Sequence, residues 1–493
     1  MATAEILQLL RDYESRNVLF IEPDGSWPIV WERAKGTSVW DANGTQYLDL
    51  TGAFGVAAAG HANPNVVKAG RQQMGRLLHA MGDVHPHALK AKLARELSRL
   101  TFERWTVAQT SKSAVSQVSK PASRPNSSGS PKGTVSVDQN RSRRFSAFGR
   151  LADLEIGDTA GLETCATAKT IFCNSGFEAV EAALKTAMLA TGKREVIAFT
   201  GSYHGLGYGA LNVTHRDFFR RPFHTQLRRF GKFVPFPQGH RDDSWVAALE
   251  KQITRILQGK RTGAILVEPV QARGGIIVPP PEFLPTLRAL CDRFGALLIA
   301  DEVYTGFGRT GAWFACEHSE VIPDLVCLGK ALTGGFPLSA CVGRADVMDA
   351  AWPPSKGEAI HTSTFLGHPV GCAMALAQIK EIKRLGLCGR SAELGRFLLA
   401  ELSAIENEKL KINMAARGLG LMAGLEVQLP DGSPAGAETF AVIKTMLKRG
   451  YILLPEGEHG NVISFTPPLT ISKSELTRTA RALREILVER FGG

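Results

Sequence analysis

Three features are missing from this 493-residue sequence: a long apolar run, a secretory-signal pattern and a C-x-x-C cysteine pair. No apolar run approaches the roughly 20 residues that a membrane-spanning helix needs, so we expect no membrane partner. The first residues, MATAEIL, have neither the basic start nor the apolar core of a secretory signal peptide. The eight cysteines include no C-x-x-C pair, which is typical of free thiols in a reducing compartment. We therefore expect a cytoplasmic protein.

The net charge of +11 is concentrated in one stretch of the chain. Between residues 107 and 150 there are eight basic residues and one acid, which leaves about +4 for the remainder. The stretch is rich in serine and poor in large apolar residues, so it cannot bury a core. We predict a disordered insertion over residues 107–166 of a surface loop, where added length costs little closure entropy. Its role stays open between a solvated loop, an anionic docking segment and imperfect transcript processing, and it does not indicate a nucleic-acid partner.

A lysine, Lys330, directly follows a short apolar run. The run, DLVCLG from Asp324, is typical of a buried strand, so the amine at its end would lose solvation. Lost solvation lowers a lysine pKa below its ordinary value of about 10.4 and leaves part of the amine as a nucleophile. Such an amine supports Schiff-base chemistry. A lone lysine after a strand is more often a surface residue, so its neighbours decide between the two interpretations.

Asp301 ends a second apolar run, ALLIA from Ala296. Continuous apolar runs are typical of strands covered on both faces, and the carboxyl ends of parallel strands are where open α/β sheets bind ligands. A buried aspartate needs a cationic partner, and the protonated ring nitrogen of pyridoxal phosphate would be one. The alternative for Asp301 is a turn or helix cap.

The segment FCNSG from Phe172 precedes a strong helical pattern. Free N–H groups at the helix start, with the Ser175 hydroxyl beside them, would bind a phosphate group. Alone, the segment is more typical of a helix cap. Together with Lys330 and Asp301 it supplies the anchor that a phosphorylated cofactor needs.

Eight motifs follow one another along the chain: GHANPNVV from Gly60, NSGFEAVEAALK from Asn174, GSYHG from Gly201, EPVQARGG from Glu268, DEVYTGFGRTG from Asp301, LGKALTGGFPLSA from Leu328, HTSTFLGHPVGCA from His361 and ISFTPPLTIS from Ile463. In these motifs the sequence resembles the class III pyridoxal-phosphate-dependent aminotransferases, which include the 4-aminobutyrate, ornithine and acetylornithine enzymes. The resemblance covers nearly the full length apart from the insertion. It implies transfer of an amino group from an amino acid or ω-amino acid to a 2-oxo acid by a ping-pong mechanism.

The resemblance also implies a set of cofactor contacts: Ser175, Gly176, Phe177, Tyr203, His204, Glu268, Asp301, Val303, Tyr304, Lys330 and Thr364. Within this set, Lys330 would form the Schiff base and Asp301 would pair with the pyridine nitrogen. Tyr203 and Val303 would lie on opposite faces of the cofactor ring. Thr364 would reach the phosphate of a neighbouring subunit, so a complete site implies a homodimer.

The other members of the set have less defined roles. Gly176 and Phe177 would donate backbone N–H groups to the phosphate, with help from Ser175. His204 and Glu268 would lie in the shell around the cofactor.

Two departures from the family pattern limit what can be said about the substrate. Arg273 and Ser464 stand where the 4-aminobutyrate and ornithine members carry a glutamate and an arginine that form a gating pair. Arg273 would either clamp a substrate carboxylate or form a structural ion pair. Tyr304 replaces a glutamine that contacts the cofactor hydroxyl, and its role is open. Loss of the gating pair leaves amino-acid racemisation or epimerisation as an alternative reaction, and a non-catalytic scaffold with a basic interaction segment as a more remote one.

The resemblance implies the fold-type I α/β architecture of pyridoxal-phosphate transferases. The pattern itself indicates a mainly parallel sheet with helices on both faces, and a smaller α+β domain. We expect residues 1–75 to contribute to the small domain, 76–378 to form the large cofactor-binding domain, and 379–493 to complete the small domain. Asn43-Gly44 predicts a hairpin turn, whereas the segments around 417–422 and 462–465 look helical. His85 and His87 have no partner cluster, so we expect no metal site.

Overall fold

A computed structural model describes residues 1–108, 167–238 and 243–492. Apart from residues 107 and 108, the insertion predicted at 107–166 lies outside this range. The strands are β1 (Trp31–Lys35), β2 (Ser38–Asp41), β3 (Gln46–Asp49), β4 (Ala168–Cys173), β5 (Glu195–Phe199), β6 (Gly231–Val234), β7 (Thr262–Val267), β8 (Leu297–Asp301), β9 (Leu325–Leu328), β10 (Ser339–Arg344), β11 (Asn413–Gly418), β12 (Ala423–Gln428), β13 (Tyr451–Ile452), β14 (Leu454–Glu456) and β15 (Val462–Phe465).

The longer helices are α1 (Thr3–Tyr13), α2 (Pro64–Arg76), α3 (Ala88–Ser98), α4 (Gly176–Thr191), α5 (Asp243–Gln258), α6 (Phe283–Phe294), α7 (Ala345–Ala351), α8 (Pro369–Arg384), α9 (Leu387–Glu406), α10 (Gly436–Lys448) and α11 (Lys473–Phe491). Shorter helical turns lie at Gly52–Gly55, Arg99–Glu103, Tyr208–Leu211, Asp217–Arg220, Arg221–Phe223, Ala315–Ser319 and Lys330–Leu332. Within the described ranges, none of the helices combines the length and the apolar character that crossing a bilayer requires.

The largest sheet has the strand order β4-β10-β9-β8-β7-β5-β6. The strands from β9 to β6 are mutually parallel, and β10 runs antiparallel to both of its neighbours, β9 and β4. The carboxyl ends of β4, β5, β7, β8 and β9 therefore meet at one edge. The predicted mainly parallel sheet is confirmed, and this edge is where the candidate residues lie.

The apolar strands are continuous because helices cover both faces of the sheet. In β7, Ala264 and Leu266 belong to a core cluster that includes buried residues of α4, whereas Ile265 and Val267 belong to a second cluster that includes Leu287 of α6. All of β7 is buried. A strand buried on both sides has no polar face, which explains why apolar and polar residues do not alternate along these runs.

The C-terminal part of the chain forms an antiparallel sheet of order β11-β12-β15-β14. The helical interpretation of the segments around 417–422 and 462–465 was therefore wrong. The first segment is the end of β11 and its turn into β12, where Gly418 and Gly420 have positive φ values that end the strand. The second is β15, which is buried throughout, and a four-residue apolar run has no periodicity that separates strand from helix.

The N-terminal hairpin prediction is confirmed. β2 and β3 pair antiparallel, and the Asp41 carboxylate accepts hydrogen bonds from the backbone N–H groups of Asn43 and Thr45 across the turn. β3 also pairs in parallel with β13, which joins the N-terminal segment to the C-terminal part of the chain. The domain boundaries at 75 and 378 stay predictions.

We predict that Gly420→Ala destabilises the fold far more than Gly432→Ala. Both glycines have positive φ, +59° and +85°, so each alanine has a backbone penalty of about 1–2 kcal/mol. A Cβ on Gly420 would lie 2.3 Å from the carbonyl carbon of Thr310, whereas one on Gly432 meets nothing within 4 Å. Gly420→Ala should therefore cost at least about 2 kcal/mol more. Urea unfolding of both variants checks this, and equal midpoints would contradict it.

Candidate active site

The carboxyl edge of the sheet brings the candidate residues together. Each follows the end of one parallel strand: Ser175 after β4, Tyr203 and His204 after β5, Glu268 after β7, Asp301 at the end of β8 and Lys330 after β9. Since these strands are neighbours or near neighbours in one sheet, residues 155 positions apart in the chain converge on one edge. This convergence is the geometry that open α/β sheets use for ligand sites.

Lys330 leaves its strand through a strained turn. Its φ is +36°, which is rare for a residue with a side chain and costs on the order of 1–3 kcal/mol. The Nζ atom lies 4.3 Å from the centroid of the Tyr304 ring. Burial lowers the pKa of Lys330, while the negative charges of Asp301 and Glu268 partly oppose this shift. The side chain is therefore an amine of reduced basicity that faces buried carboxylates.

Asp301 is held by two donors. The Nδ1 of His204 lies 2.7 Å from Asp301 Oδ2, and the backbone N–H of Val303 donates to Oδ1 over 3.1 Å. His204 is itself oriented, because its backbone N–H donates to the Thr214 hydroxyl. The Nε2 atom of His204 is buried and has no partner within the described part of the chain. The carboxylate is thus fixed in direction and remains available to a cation.

Glu268 connects the loops that follow β5 and β7. Its carboxylate accepts hydrogen bonds from the backbone N–H groups of Tyr203, at 3.0 Å, and Ala272, at 3.2 Å. Burial is the main cause that raises the pKa of Glu268 to about 7. Its two hydrogen bonds place Tyr203 and the loop that carries Arg273 at defined positions beside the sheet edge.

The start of α4 presents a donor that lacks a partner. The Glu178 carboxylate accepts from the backbone N–H groups of Asn174 and Ser175, which leaves those of Gly176 and Phe177 to other acceptors. The Ser175 hydroxyl is buried and unpartnered in the described structure. Burying a hydroxyl without a partner is unfavourable, so its position at a helix N-terminus fits a phosphate group.

A narrow cradle lies between this helix start and Lys330. A Cβ on Gly176 would come within 2.9 Å of Val303 Cγ1, and one on Gly329 within 3.3 Å of the same atom. The two glycines therefore let Val303 approach both the helix start and the lysine. Cradle, orphan hydroxyl, oriented carboxylate and lysine together fit pyridoxal phosphate.

Tyr304 packs between this cradle and the N-terminal segment. Its hydroxyl lies 3.2 Å from that of Thr466, and its ring lies where a Cβ on Gly55 would be 3.0 Å from Cε1. Burial raises the pKa of Tyr304 to about 12. The side chain is therefore neutral and close to the Lys330 amine.

Arg273 lies against Tyr203, with its guanidinium carbon 5.0 Å from the ring centroid. Its charged partner is Glu456 at the end of β14, at 3.7 Å between Nε and Oε2. Sequence reasoning missed Glu456 and also Arg216, which donates to the backbone carbonyl of Arg273. Neither lies in a motif: Glu456 is brought here by β14, and Arg216 by its hydrogen bonds to the Arg273 and Gly457 carbonyls.

Three other sequence candidates lie elsewhere. Thr364 is exposed in the loop before α8 and makes no hydrogen bond to another described residue. His87 caps α3 and has its Nε2 atom 2.7 Å from the Gly367 carbonyl, whereas His85 is exposed. The described ranges contain no group of three or more potential metal ligands.

Comparisons with known proteins show the family to which the chain belongs. The model of the family described as aminotransferase class-III matches residues 21–131 and 144–487. The chain belongs to this family. Class III aminotransferases use pyridoxal phosphate and move an amino group from a donor to a 2-oxo acid. The fold-type I architecture and the aminotransferase activity expected from the sequence are confirmed.

Several relatives are similar over most of their length. The chain is 33% identical to putrescine aminotransferase of Pectobacterium atrosepticum, over 98% of this chain and 88% of the relative. It is 33% identical to 5-aminovalerate aminotransferase of Pseudomonas aeruginosa, over 94% of each. Among solved structures, an amine transaminase from an uncultivated Pseudomonas species has a TM-score of 0.74 at 26% identity, covering 97% of this chain and 98% of that one.

We predict that the Lys330 amine of the cofactor-free protein titrates below the ordinary lysine pKa of 10.5. The deprotonated fraction then rises at lower pH than for an ordinary lysine, because burial disfavours the charged form. In Asp301→Asn the titration should move lower still, since an attractive negative charge is lost. Carbon-13 dimethyl labelling and NMR titration measure this. A Lys330 pKa at or above 10.5, or an upward shift in Asp301→Asn, would contradict the electrostatics.

Proposed function

We propose that this aminotransferase takes a small ω-amino acid resembling 4-aminobutyrate, or a related amine, as donor and a 2-oxo acid as acceptor. In this proposal Lys330 holds the cofactor and moves the proton. The observation that supports it most directly is the position of the Lys330 amine, which lies between the electrostatic influence of Asp301 and Glu268 and the face of Tyr304. The names of the putrescine and 5-aminovalerate relatives support the donor class.

The residues divide the work as follows. When bound, pyridoxal phosphate supplies an aldehyde that takes up the amino group and a ring that withdraws electrons from the reacting carbon. Asp301, oriented by His204, provides the negative charge that favours a protonated ring nitrogen. Lys330 Nζ would remove the proton from the donor carbon that bears the amino group and would pass it to the cofactor. A positioned base of this kind contributes about 10²–10⁴-fold to the rate.

The remaining residues position the reactants. Ser175, with the backbone N–H groups of Gly176 and Phe177, would hold the phosphate. Val303 and Tyr203 would lie on opposite faces of the cofactor ring, and Tyr304 would lie at its edge. Arg273 would bind a substrate carboxylate through parallel hydrogen bonds, since its guanidinium is partly exposed beside Tyr203.

We favour transamination over racemisation. Loss of the family's gating pair was the reason to consider a racemase. A different ion pair lies next to the site, however, with Arg273 at the position of the family's glutamate and Glu456 as its carboxylate partner. A charged group that binds a distal carboxylate suits transfer of an amino group between two acids better than inversion of configuration at one carbon. The scaffold alternative rests on the 107–166 insertion, which lies almost wholly outside the described residues.

We further propose a homodimer in which Thr364 approaches the phosphate of the partner subunit. Thr364 is exposed, and the neighbouring side chains of Phe365 and Ile360 are 54% and 78% exposed, as expected of a surface that a second copy covers. The cytoplasmic location predicted from the cysteines also stays a proposal, supported by the free thiols of the described cysteines.

We predict that Lys330→Ala reduces transamination by more than the 10²–10⁴-fold expected of a lost base, because the same amine also anchors the cofactor. The visible absorbance of bound cofactor should disappear with it. Lys193→Ala, which removes a surface lysine bonded to the Phe294 and Gly295 carbonyls, is the control and should retain activity. Single-turnover conversion of the cofactor to its amine form by donor alone is the measurement, and turnover by Lys330→Ala would refute the assignment.

We predict that Ser175→Ala weakens cofactor binding by about 10-fold or more, the value of one hydrogen bond to a charged group. The cofactor-free protein should not lose stability, since the hydroxyl has no partner there. Thr170→Val is a matched control, because it removes another buried, unpartnered hydroxyl from β4, the strand that Ser175 follows. Fluorescence titration with the cofactor should separate the two variants, and equal affinities would argue against a phosphate at Ser175.

A further inference from the structure

The Arg273–Glu456 ion pair joins a buried carboxylate to a partly exposed guanidinium and is incompletely hydrogen-bonded. Glu456 is 5% exposed, and its Oε2 lies 3.7 Å from Arg273 Nε, which is too long for a hydrogen bond. Neither atom has another hydrogen-bond partner within the described residues. A buried carboxylate normally gathers hydrogen bonds, so this one retains capacity for a donor that the protein itself does not provide.

The backbone around the pair is fixed by hydrogen bonds. The Gly457 N–H donates to the Arg273 carbonyl over 3.2 Å, and the Arg216 guanidinium donates to that carbonyl and to the Gly457 carbonyl. These bonds tie the loop after β7 to the turn after β14. The Arg273 side chain is 34% exposed, so its guanidinium has room to move away from Glu456 without disturbing this scaffold.

The charges of Arg273 and Glu456 also act electrostatically on the Lys330 amine. Arg273 contacts the ring of Tyr203, which belongs to the loop after β5, and Glu456 acts electrostatically on Lys330 and on Tyr304. A small donor whose first amine reacts with the cofactor aldehyde beside Lys330 would therefore place its other end near these two charges. An ammonium group offers three N–H donors, which is the complement that the Glu456 carboxylate lacks.

Resting on the function proposed above, we propose that Glu456 is a specificity-determining residue that receives the distal ammonium of a diamine donor, while Arg273 receives a distal carboxylate. One pair of opposite charges then accepts either kind of donor and disfavours an uncharged end. Because Arg216 adds a second positive charge beside the pair, a carboxylate end is preferred over an ammonium end. An ammonium end binds when Arg273 turns outward.

The test compares three donors of equal length with one 2-oxo acid: 4-aminobutyrate, 1,4-diaminobutane and butylamine. In the wild-type holoenzyme kcat/KM should fall in that order. Glu456→Gln should lower the ratio of diaminobutane to butylamine by about 10-fold or more, the effect of losing one charged hydrogen bond. It should leave 4-aminobutyrate unchanged or faster, since Arg273 loses its competitor. Glu458→Gln removes the same charge from an exposed residue two positions further on and should leave all ratios unchanged.

Arg273→Gln provides an independent arm in case Glu456→Gln fails to fold. It should raise the ratio of diaminobutane to 4-aminobutyrate, opposite to Glu456→Gln. The proposal is overturned if the wild type does not prefer diaminobutane to butylamine or if Glu456→Gln slows all donors equally. It is also overturned if Glu456→Gln and Arg273→Gln change the ratio of diaminobutane to 4-aminobutyrate in the same direction. Absence of transamination with every donor would instead overturn the proposed function itself.

Discussion

The site depends on one electrostatic balance, the burial of a lysine amine among carboxylates. Burial lowers the pKa of Lys330, whereas the negative charges of Asp301 and Glu268 raise it. Their opposition gives an amine of reduced basicity, which suits the nucleophile and base that we propose Lys330 to be. The sheet supplies both parts of this balance, because the carboxyl ends of its parallel strands are buried and lie at one edge.

The supporting interactions maintain that balance. Asp301 is directed by His204 and by its own turn, and Glu268 holds the loops after β5 and β7 through backbone N–H groups. These are short-range, geometrically fixed contacts. The strained φ of Lys330 shows that the surrounding turn, rather than local preference, sets the direction of the amine.

Much of the site could be predicted because its residues end apolar strands. DLVCLG is buried from end to end and ALLIA is buried except for the half-buried Leu297, which makes their strand character legible, and the residues after them must then share an edge. The segments around 417–422 and 462–465 were misread because short buried runs and glycine turns have no diagnostic period. Whether the domain boundaries at 75 and 378 are correct is a separate prediction that pairing of β3 with β13 alone does not decide.

Glu456 and Arg216 were beyond sequence reasoning for a different reason. Glu456 lies in a three-residue edge strand and Arg216 in an irregular segment, so neither position has a pattern that indicates its direction. Only tertiary contacts, such as the Arg216 bonds to the Arg273 and Gly457 carbonyls, bring them to the substrate side. The residues that we propose to set specificity therefore lie where sequence patterns are weakest, whereas those that we propose to carry the chemistry lie where they are strongest.

The most direct test of the account is to trap the bond between the cofactor and the chain. Borohydride reduction of the holoenzyme, followed by digestion and mass spectrometry, locates the modified residue. We expect a single stoichiometric pyridoxyl-phosphate adduct on the peptide that contains Lys330. An adduct on another lysine, or none in protein that shows bound cofactor, would contradict it.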